Sequence, residues 1–522
     1  MRRFKTRGWT ILLFAALIAT ISCSKPPDPK ILVMMIESSP TNLDPRVGLD
    51  AQSERIDELI FDALLTRDDH LNVQPGLAEH CEAPDPLTYV FHLRQGIKFH
   101  NGQALTARDV KWTFDSLLQG KIRSTKSAAY RFVDHIEASD DKTVIFHLKQ
   151  PDASLLWNLS EGAIGIVPEG SGSELSTHPV GSGPFRFISQ EQDKEVILAR
   201  NDSYWGAVPK LEGVRFMVVP DDTTRALELR KGSADVAINA LPFDTVLTLE
   251  HEPKLQILSA PGTVLAYLSF NLHDPILKNT KVRQALACAI DRRPLIHYVL
   301  RDFAKPANSL LPPQSWAYDG DVPRCDYDPP RARQLLDRAG YPARNGVRFH
   351  LTMKTSTEGS TRLLAAVLQQ QLRDVGIALD IRSYEFATFL SDVTHGVFQM
   401  YSLRWIGGNE DPDMFEYVFH SSRIPPKGGN RSFYENPRLD LLIDQARMAD
   451  NRDTRKQLYD EVQRILAEDV PAINLWYYDN VLVATKRVSG LTLNPSGNYD
   501  FLKTAGLSER TDIKFLRDNI ER

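Results

Sequence analysis

Hydrophobic and polar positions along this chain change period several times, and the changes outline an alternating α/β protein. Apolar residues run without a break through Ile31 to Ile36, which predicts a buried strand. Glu37-Ser38-Ser39-Pro40 leaves that strand and Leu43-Asp44-Pro45 makes a turn. Tyr89, Phe91 and Leu93 alternate with less apolar neighbours, as do Val144, Phe146 and Leu148. Both runs read as half-buried strands. Asn101-Gly102 is a turn signal. Thr106 with Asp109 three residues later reads as a capping box. It opens a short helix with Val110, Phe114 and Leu117 on its buried face. Together these elements predict a small α/β subdomain near residues 71–160.

The alternation continues downstream. Gly213 to Val219 reads as a strand, Thr223 to Lys231 as a helix stopped by Gly232, and Ala234 to Ala237 as a strand. Tyr267 to Asn271 predicts a strand leading out of a first lobe. Val282, Ala285, Leu286, Ala289 and Ile290 then fall at helical spacing. Further helices are predicted after Asp328-Pro329, from Thr361 to Val375 before Gly376, and at about 437–449 and 453–468. The charged tail from Ser508 carries Ile513, Leu516 and Ile520 at helical spacing. Strand–helix–strand order at these spacings favours an α/β fold.

The start of the chain follows a different pattern. Arg2, Arg3, Lys5 and Arg7 precede an apolar run from Trp9 to Ile21, too short to span a bilayer comfortably. Ser22-Cys23 and the polar, Pro-rich 24–29 follow, as in a secretory signal. A small residue before a cysteine at that point resembles a lipoprotein signal. This implies residues 1–23 as signal, a lipid on Cys23 and a tether over 24–30.

Length and charge add exclusions. A chain of 522 residues exceeds one core, so two or three folding units are expected. Apolar residues at 42% and charged residues at 25% fit a soluble globular protein. The net charge of -5 gives no basic face for nucleic acid. Cys81, Cys288 and Cys325 form no C-x-x-C pair, so no zinc or redox motif is read from them. Export would permit one disulfide of unspecified pairing. Cys288 lies in a helical apolar pattern and reads as core. The 13 histidines lack the i, i+4 pairs of metal enzymes, and neither a metal nor a cofactor is assigned.

One ordered set of short motifs carries more information than any of these. It begins with Phe61-Asp62-Ala63-Leu64-Leu65, Pro75-Gly76-Leu77-Ala78-Glu79, and the stretch Leu87 to Val110. It continues with Gly181-Ser182-Gly183-Pro184-Phe185, Asn201-x-x-Tyr204-Trp205, Phe270-Asn271 and Val282 to Leu286. Tyr327-Asp328-Pro329, Trp405 to Asp413 and Asn436-Pro437 complete it. The order resembles the extracellular solute-binding proteins of the peptide/nickel class (family 5), the receptor subunits of ABC importers. The resemblance implies a two-lobe type II periplasmic-binding-protein fold that closes like a trap, with an extra small α/β subdomain on the first lobe. It implies lobe I over 31–270 with the insert at 71–160, lobe II over 271–477, and a return to lobe I with a tail over 478–522. It also implies a monomeric, non-enzymatic receptor that passes peptides to membrane permease subunits. Such a receptor is exported to the periplasm or the outer face of the cell membrane, held there by its lipid.

Candidate ligand contacts follow from the same comparison. Trp405 beside glycines offers a packing face, and Arg404 could pair with a ligand carboxylate. Ser38, Ser182, Ser269 and Asn271 could bond a peptide backbone. Peptide-binding members similar in the Trp405 stretch often carry Asp directly before the position of Asn409. Here Gly408 stands in its place, leaving Glu410, Asp411 or Asp413 to supply the charge for an α-amino group. Other cargo of the family, such as a nickel chelate, haem or a cell-wall peptide, stays open, as does a sensory role. A secreted hydrolase is the competing class. The chain has neither Gly-x-Ser-x-Gly nor His-Glu-x-x-His, so no nucleophile elbow or zinc helix supports it.

Overall fold

A computed structural model describes residues 30–160, 164–407, 410–449 and 451–508. The signal run, Cys23, Gly408, Asn409 and the tail beyond Ser508 lie outside these residues. The chain opens with β1 (Ile31–Ile36), and a hairpin of β2 (Leu65–Arg67) and β3 (Val73–Pro75) leads into the first insert. There β4 (Ala78–Asp85), β5 (Thr88–Leu93), β6 (Val133–Ala138) and β7 (Thr143–Leu148) form a separate sheet in the order β4-β5-β7-β6. Next come β8 (Phe185–Glu191), β9 (Glu195–Arg200), β10 (Gly213–Val218), β11 (Val236–Ile238) and the long β12 (Leu255–Phe270). β13 (Ala304–Pro306), β14 (Phe349–Ser356), β15 (Ile377–Tyr384), β16 (Met400–Trp405) and β17 (Ala472–Thr485) complete the main sheet. That sheet has eleven strands, ordered β15-β14-β16-β12-β17-β11-β1-β10-β9-β8, with β13 paired to β17.

The two lobes are the two ends of this sheet. On one side β1 pairs in parallel with β10 and β11. Leu32, Met34 and Ile36 enter one core there, and Val33 and Met35 the other, so every β1 position from Leu32 on is buried. That explains an unbroken apolar run rather than an alternating one. On the other side β14 pairs in parallel with β15 and β16. β12 and β17 run antiparallel through both lobes, with register breaks at Pro261/Leu265 and Ala266/Tyr267. Before the breaks, Leu255 packs with Val481 and Val483 in a lobe I core. Beyond the first break, Ala266, Leu268 and Phe270 join Leu475 and Trp476 in a lobe II core.

The insert has a core of its own. Phe91, Phe114, Tyr130 and Phe146 meet edge-to-face with ring centroids 5.0–5.5 Å apart, a favoured aromatic geometry. Its helix, Ala107–Leu118, starts at the expected capping box, with the Thr106 amide donating to Asp109 Oδ2 at 2.7 Å. Gly232 ends the helix Asp222–Lys231 at φ +75°, a conformation glycine adopts without strain. Cys288 is not merely core: it is disulfide-bonded to Cys325, with Cα atoms 5.0 Å apart. Its burial at 1% exposure is what its apolar surroundings predict, and the bond pins the 325 loop to the helix Thr280–Ala289. Among the described residues no helix is long and apolar enough to cross a membrane.

Candidate functional site

In open α/β sheets, ligands sit beyond the carboxyl ends of the parallel strands. Here both lobes aim those ends at the same place. β11 approaches the hinge strands as Ile238 pairs with Leu482, and the Asn239 amide then donates to the Val481 carbonyl. β16 approaches from the other side, from Met400 opposite Phe270 to Trp405 opposite Leu265. The register break of β12 lies between them. The candidate cleft is therefore bounded by the ends of β1 and β11, the register break at 261–265 and 477–480, and the ends of β14 and β16.

The lobes touch along one flank of this cleft. Arg67 on β2 donates to Glu410 Oε2 at 2.8 Å, and Thr263 Oγ donates to Glu410 Oε1 at 2.9 Å. The Glu410 side chain is only 4% exposed, so the bonds compensate for a desolvated carboxylate. Arg67 also lies over the Trp157 ring, 4.5 Å from its centre. Ser154 Oγ contacts Asp413 at 3.4 Å, and Arg131 contacts Glu416 at 3.5 Å. Asp413 and Glu416 are held in turn by Arg447 and Arg423. The first lobe and its insert thus meet the second lobe through charged groups, the kind of contact that rehydrates on separation.

Trp405 and Ser269 are drawn together. Both line a small pocket with Tyr267, Tyr401 and Arg431. The Trp405 ring stacks on Tyr267, centroids 5.5 Å apart and 10° from parallel, and Arg431 lies over the Trp405 ring at 5.2 Å. Burial pushes the Tyr267 hydroxyl well above its usual pKa. Arg404 lies over the Tyr478 ring at 5.0 Å and pairs with Glu358, just beyond β14, at 3.4 Å. Both charges are about half exposed. Ser38 is exposed at the end of β1.

Other expected contacts are held elsewhere. Ser182 is fully buried and donates to Asp62 at 2.8 Å. Asp62 also accepts from Tyr204 Oη at 3.0 Å and Trp205 Nε1 at 2.9 Å. So three of the family motifs meet on one carboxylate that joins lobe I to its insert. Gly183 and Gly181 are required there, because a Cβ on either would meet the Ile60 backbone at 2.7 and 2.0 Å. His100 supports the same segment through the Gly183 carbonyl at 3.0 Å, and burial lowers its pKa. Asn271 is 8% exposed and clamps a loop, donating to the Gly396 and Phe398 carbonyls. Asp411 is buried and accepts from the Asp413 amide at 2.8 Å. Burial pushes its carboxyl up to about 7. Ser182, Asn271 and Asp411 are thus buried and bonded to protein groups. Of the three acids considered as substitutes at Gly408, each is engaged: Glu410 by Arg67, Asp411 by backbone and Asp413 by Arg447. Arg67, Trp157 and Thr263 escaped the sequence reading because no local pattern marks a pair that forms only between lobes.

Comparison with known proteins agrees with this architecture. Residues 72–425 match the sequence model of the bacterial extracellular solute-binding proteins, family 5. The glutathione-binding protein GsiB of Pectobacterium atrosepticum is 31% identical over 516 residues, covering 96% of this chain and 99% of that protein. The dipeptide-binding protein of Escherichia coli is 28% identical over 505 residues, covering 90% and 94%. Among solved structures, the oligopeptide-binding protein AppA of Bacillus subtilis in complex with a nonapeptide superposes with a TM-score of 0.76. It shares 27% identity and covers 92% of this chain and 99% of that one. A family match over most of the sequence, near full-length relatives and a shared two-lobe fold make this chain a member of family 5 of the bacterial extracellular solute-binding proteins.

Proposed function

We propose that this chain captures peptides between its lobes and delivers them to the membrane subunits of an ABC importer. The observation that carries the reading is the hinge: two strands continuous through both lobes, with parallel strand ends aimed at their register break. A solute held there touches both lobes only when they are closed, so binding shifts the population toward the closed form. The relatives named for dipeptides, glutathione and an oligopeptide complex support peptide cargo. In this reading the lobes exchange at 261–265 and 477–480, which moves the first boundary ahead of Phe270. Arg404 and Glu358 are an exposed pair of opposite sign at the cleft mouth. We assign them to the termini of the bound peptide: Glu358 takes the ammonium that Gly408 cannot, and Arg404 the carboxylate. Trp405 provides the apolar wall, with Ser38 and Ser269 in reach of the cleft. The chain is a monomeric, exported receptor held at the membrane by a lipid on Cys23, and it does no chemistry on its cargo.

A thermal-shift panel on the chain from Ser24 onward tests this. The panel contains free and N-acetylated di-, tri- and longer peptides, nickel–histidine and haem. A ligand at about 100 times its dissociation constant adds about 2.7 kcal/mol. Free peptides are expected to raise the melting temperature, and Glu358→Gln to remove the preference for a free amine. A shift with nickel–histidine or haem alone would overturn the peptide reading. Recovered peptides are expected intact, and cleavage would return the hydrolase to consideration.

A further inference from the structure

The insert carries a second cluster of chemistry, far in sequence from the hinge. Its sheet buries Phe91, Leu93, Val144 and Phe146 on one face, which leaves the residues between them on the other. On that open face His135 and Glu137 stand two apart on β6, and His147 of β7 is the direct cross-strand partner of His135. Glu137 Oε1 lies 3.3 Å from His135 Nε2 and 3.5 Å from His147 Nε2. The ligand atoms of the three residues all fall within 4.8 Å of one another. The two imidazoles stack at 4.4 Å with their Nε2 edges toward the same carboxylate.

Three details separate this cluster from an ordinary surface ion pair. Asp134 Oδ2 sits 2.9 Å from His135 Nδ1. With the proton held on Nδ1 by that carboxylate, the Nε2 lone pair faces Glu137, and either a second proton or a cation between them satisfies the pair. This is also the carboxylate–histidine pairing that orients metal ligands. Next, His147 Nε2 is shielded from solvent and makes no hydrogen bond, facing the Glu137 carboxylate at 3.5 Å. Last, a tetrahedral ion with bonds of about 2.0–2.1 Å holds neighbouring ligand atoms about 3.4 Å apart. The two separations to Glu137 bracket that value.

We propose that His135, Glu137 and His147 form a binding site for a divalent zinc-like ion, with Asp134 as a positioning residue and water completing the shell. Two imidazoles and one carboxylate suit zinc, and disfavour magnesium or calcium, which take oxygen ligands. The same spelling recurs on the other half of the sheet, where His80 and Glu82 of β4 face His92 of β5. There the separations to Glu82 are 3.3 and 3.6 Å, but the rings stand 5.9 Å apart. Among the described residues no carboxylate but Glu82 is paired with either ring. That copy serves as an internal control of looser geometry.

The test is zinc titration of the chain from Ser24 onward against a chromophoric chelator, without any transported solute. One tight equivalent per chain is expected. His147→Ala and, separately, His135→Ala should abolish it, Asp134→Asn should weaken it at least about tenfold, and His92→Ala should leave it unchanged. Far-ultraviolet circular dichroism checks that the variants fold. Absence of a tight equivalent, its survival in either His135→Ala or His147→Ala, or its loss in His92→Ala would each overturn the proposal. Because no peptide is present, failure here leaves the receptor reading untouched.

Discussion

Replacing Arg67 with alanine separates closure from folding. The 2.8 Å bond from Arg67 to Glu410 joins the two lobes, and the carboxylate it meets is 4% exposed. A hydrogen bond to a charged group in such a setting contributes about 1.5–3 kcal/mol. When the lobes part, both groups recover water, so loss of this bond costs the open form nothing. The cation–π contact of Arg67 with Trp157 lies within the first lobe and its insert, and is lost equally from both forms. The whole 1.5–3 kcal/mol therefore falls on the closed state. At about 1.4 kcal/mol per factor of ten, affinity for a bound solute should drop about 10- to 150-fold. Isothermal titration with the best peptide of the thermal panel measures the affinity. Small-angle scattering at saturation measures whether the chain still compacts. The double variant Arg67→Ala/Glu410→Gln should recover part of the loss, because it removes the stranded charge. Unchanged affinity would refute the reasoning. So would a fall in the ligand-free melting temperature as large as that of the liganded protein, since the pair would then hold both states.

Other perturbations read different parts of the structure. Asp62→Ala removes the acceptor of Ser182, Tyr204 and Trp205. It should lower stability by about 3 kcal/mol, visible as a lower urea midpoint, and a loss below about 1 kcal/mol would contradict its role as a joint. Cys288→Ser opens a crosslink with a sequence separation of 37. The expected cost is about 3–4 kcal/mol, and wild type in reductant should match the variant. Asp411 titrates near 7 when folded against 3.8 as a free side chain. The folded chain thus holds this proton more tightly, and its contribution is full below about pH 4 and declines as pH rises toward 7. Asp411→Asn should flatten that decline by up to about 1.4 kcal/mol per pH unit in unfolding curves taken from pH 4 to 8. An unchanged slope would show that the carboxyl is not buried as described.

The helices were legible because their apolar spacing is local. Val282, Ala285, Leu286 and Ala289 are buried on Thr280–Ala289 as their period requires. β12 was legible only at its end. Pro261 and Gly262 look like punctuation, yet the strand passes through them as an irregularity that a sheet tolerates in proline and glycine. The motifs gave the family but not the roles of their residues. Ser182 and Asn271 stand in motifs because backbone geometry needs them, and a motif does not say whether it serves packing or ligand. Trp405 stands out in the sequence by its neighbouring glycines, and it lines a pocket with Tyr267 and Ser269. Arg67 and Thr263 could not, since their partner Glu410 is brought in by the meeting of lobes. The His-x-Glu spellings on β4 and β6 have strand spacing, so their partner histidines are brought in only across the sheet.

The hinge also sets the order in which the protein can be made. β11 ends next to β17, and the bond between Val481 and Asn239 spans 242 positions. As the chain emerges amino end first, β11 stands as an open sheet edge until the last strand arrives. The segment delivered in the meantime, from β13 to β16, builds the second lobe. The second lobe can therefore gather first while the first waits, exposed along one edge of the kind that recruits other strands. Pairing at such separation is intrinsically slow. A receptor designed to close on a guest must first close on itself, and a holdase that covers β11 during export would raise the yield of folded protein.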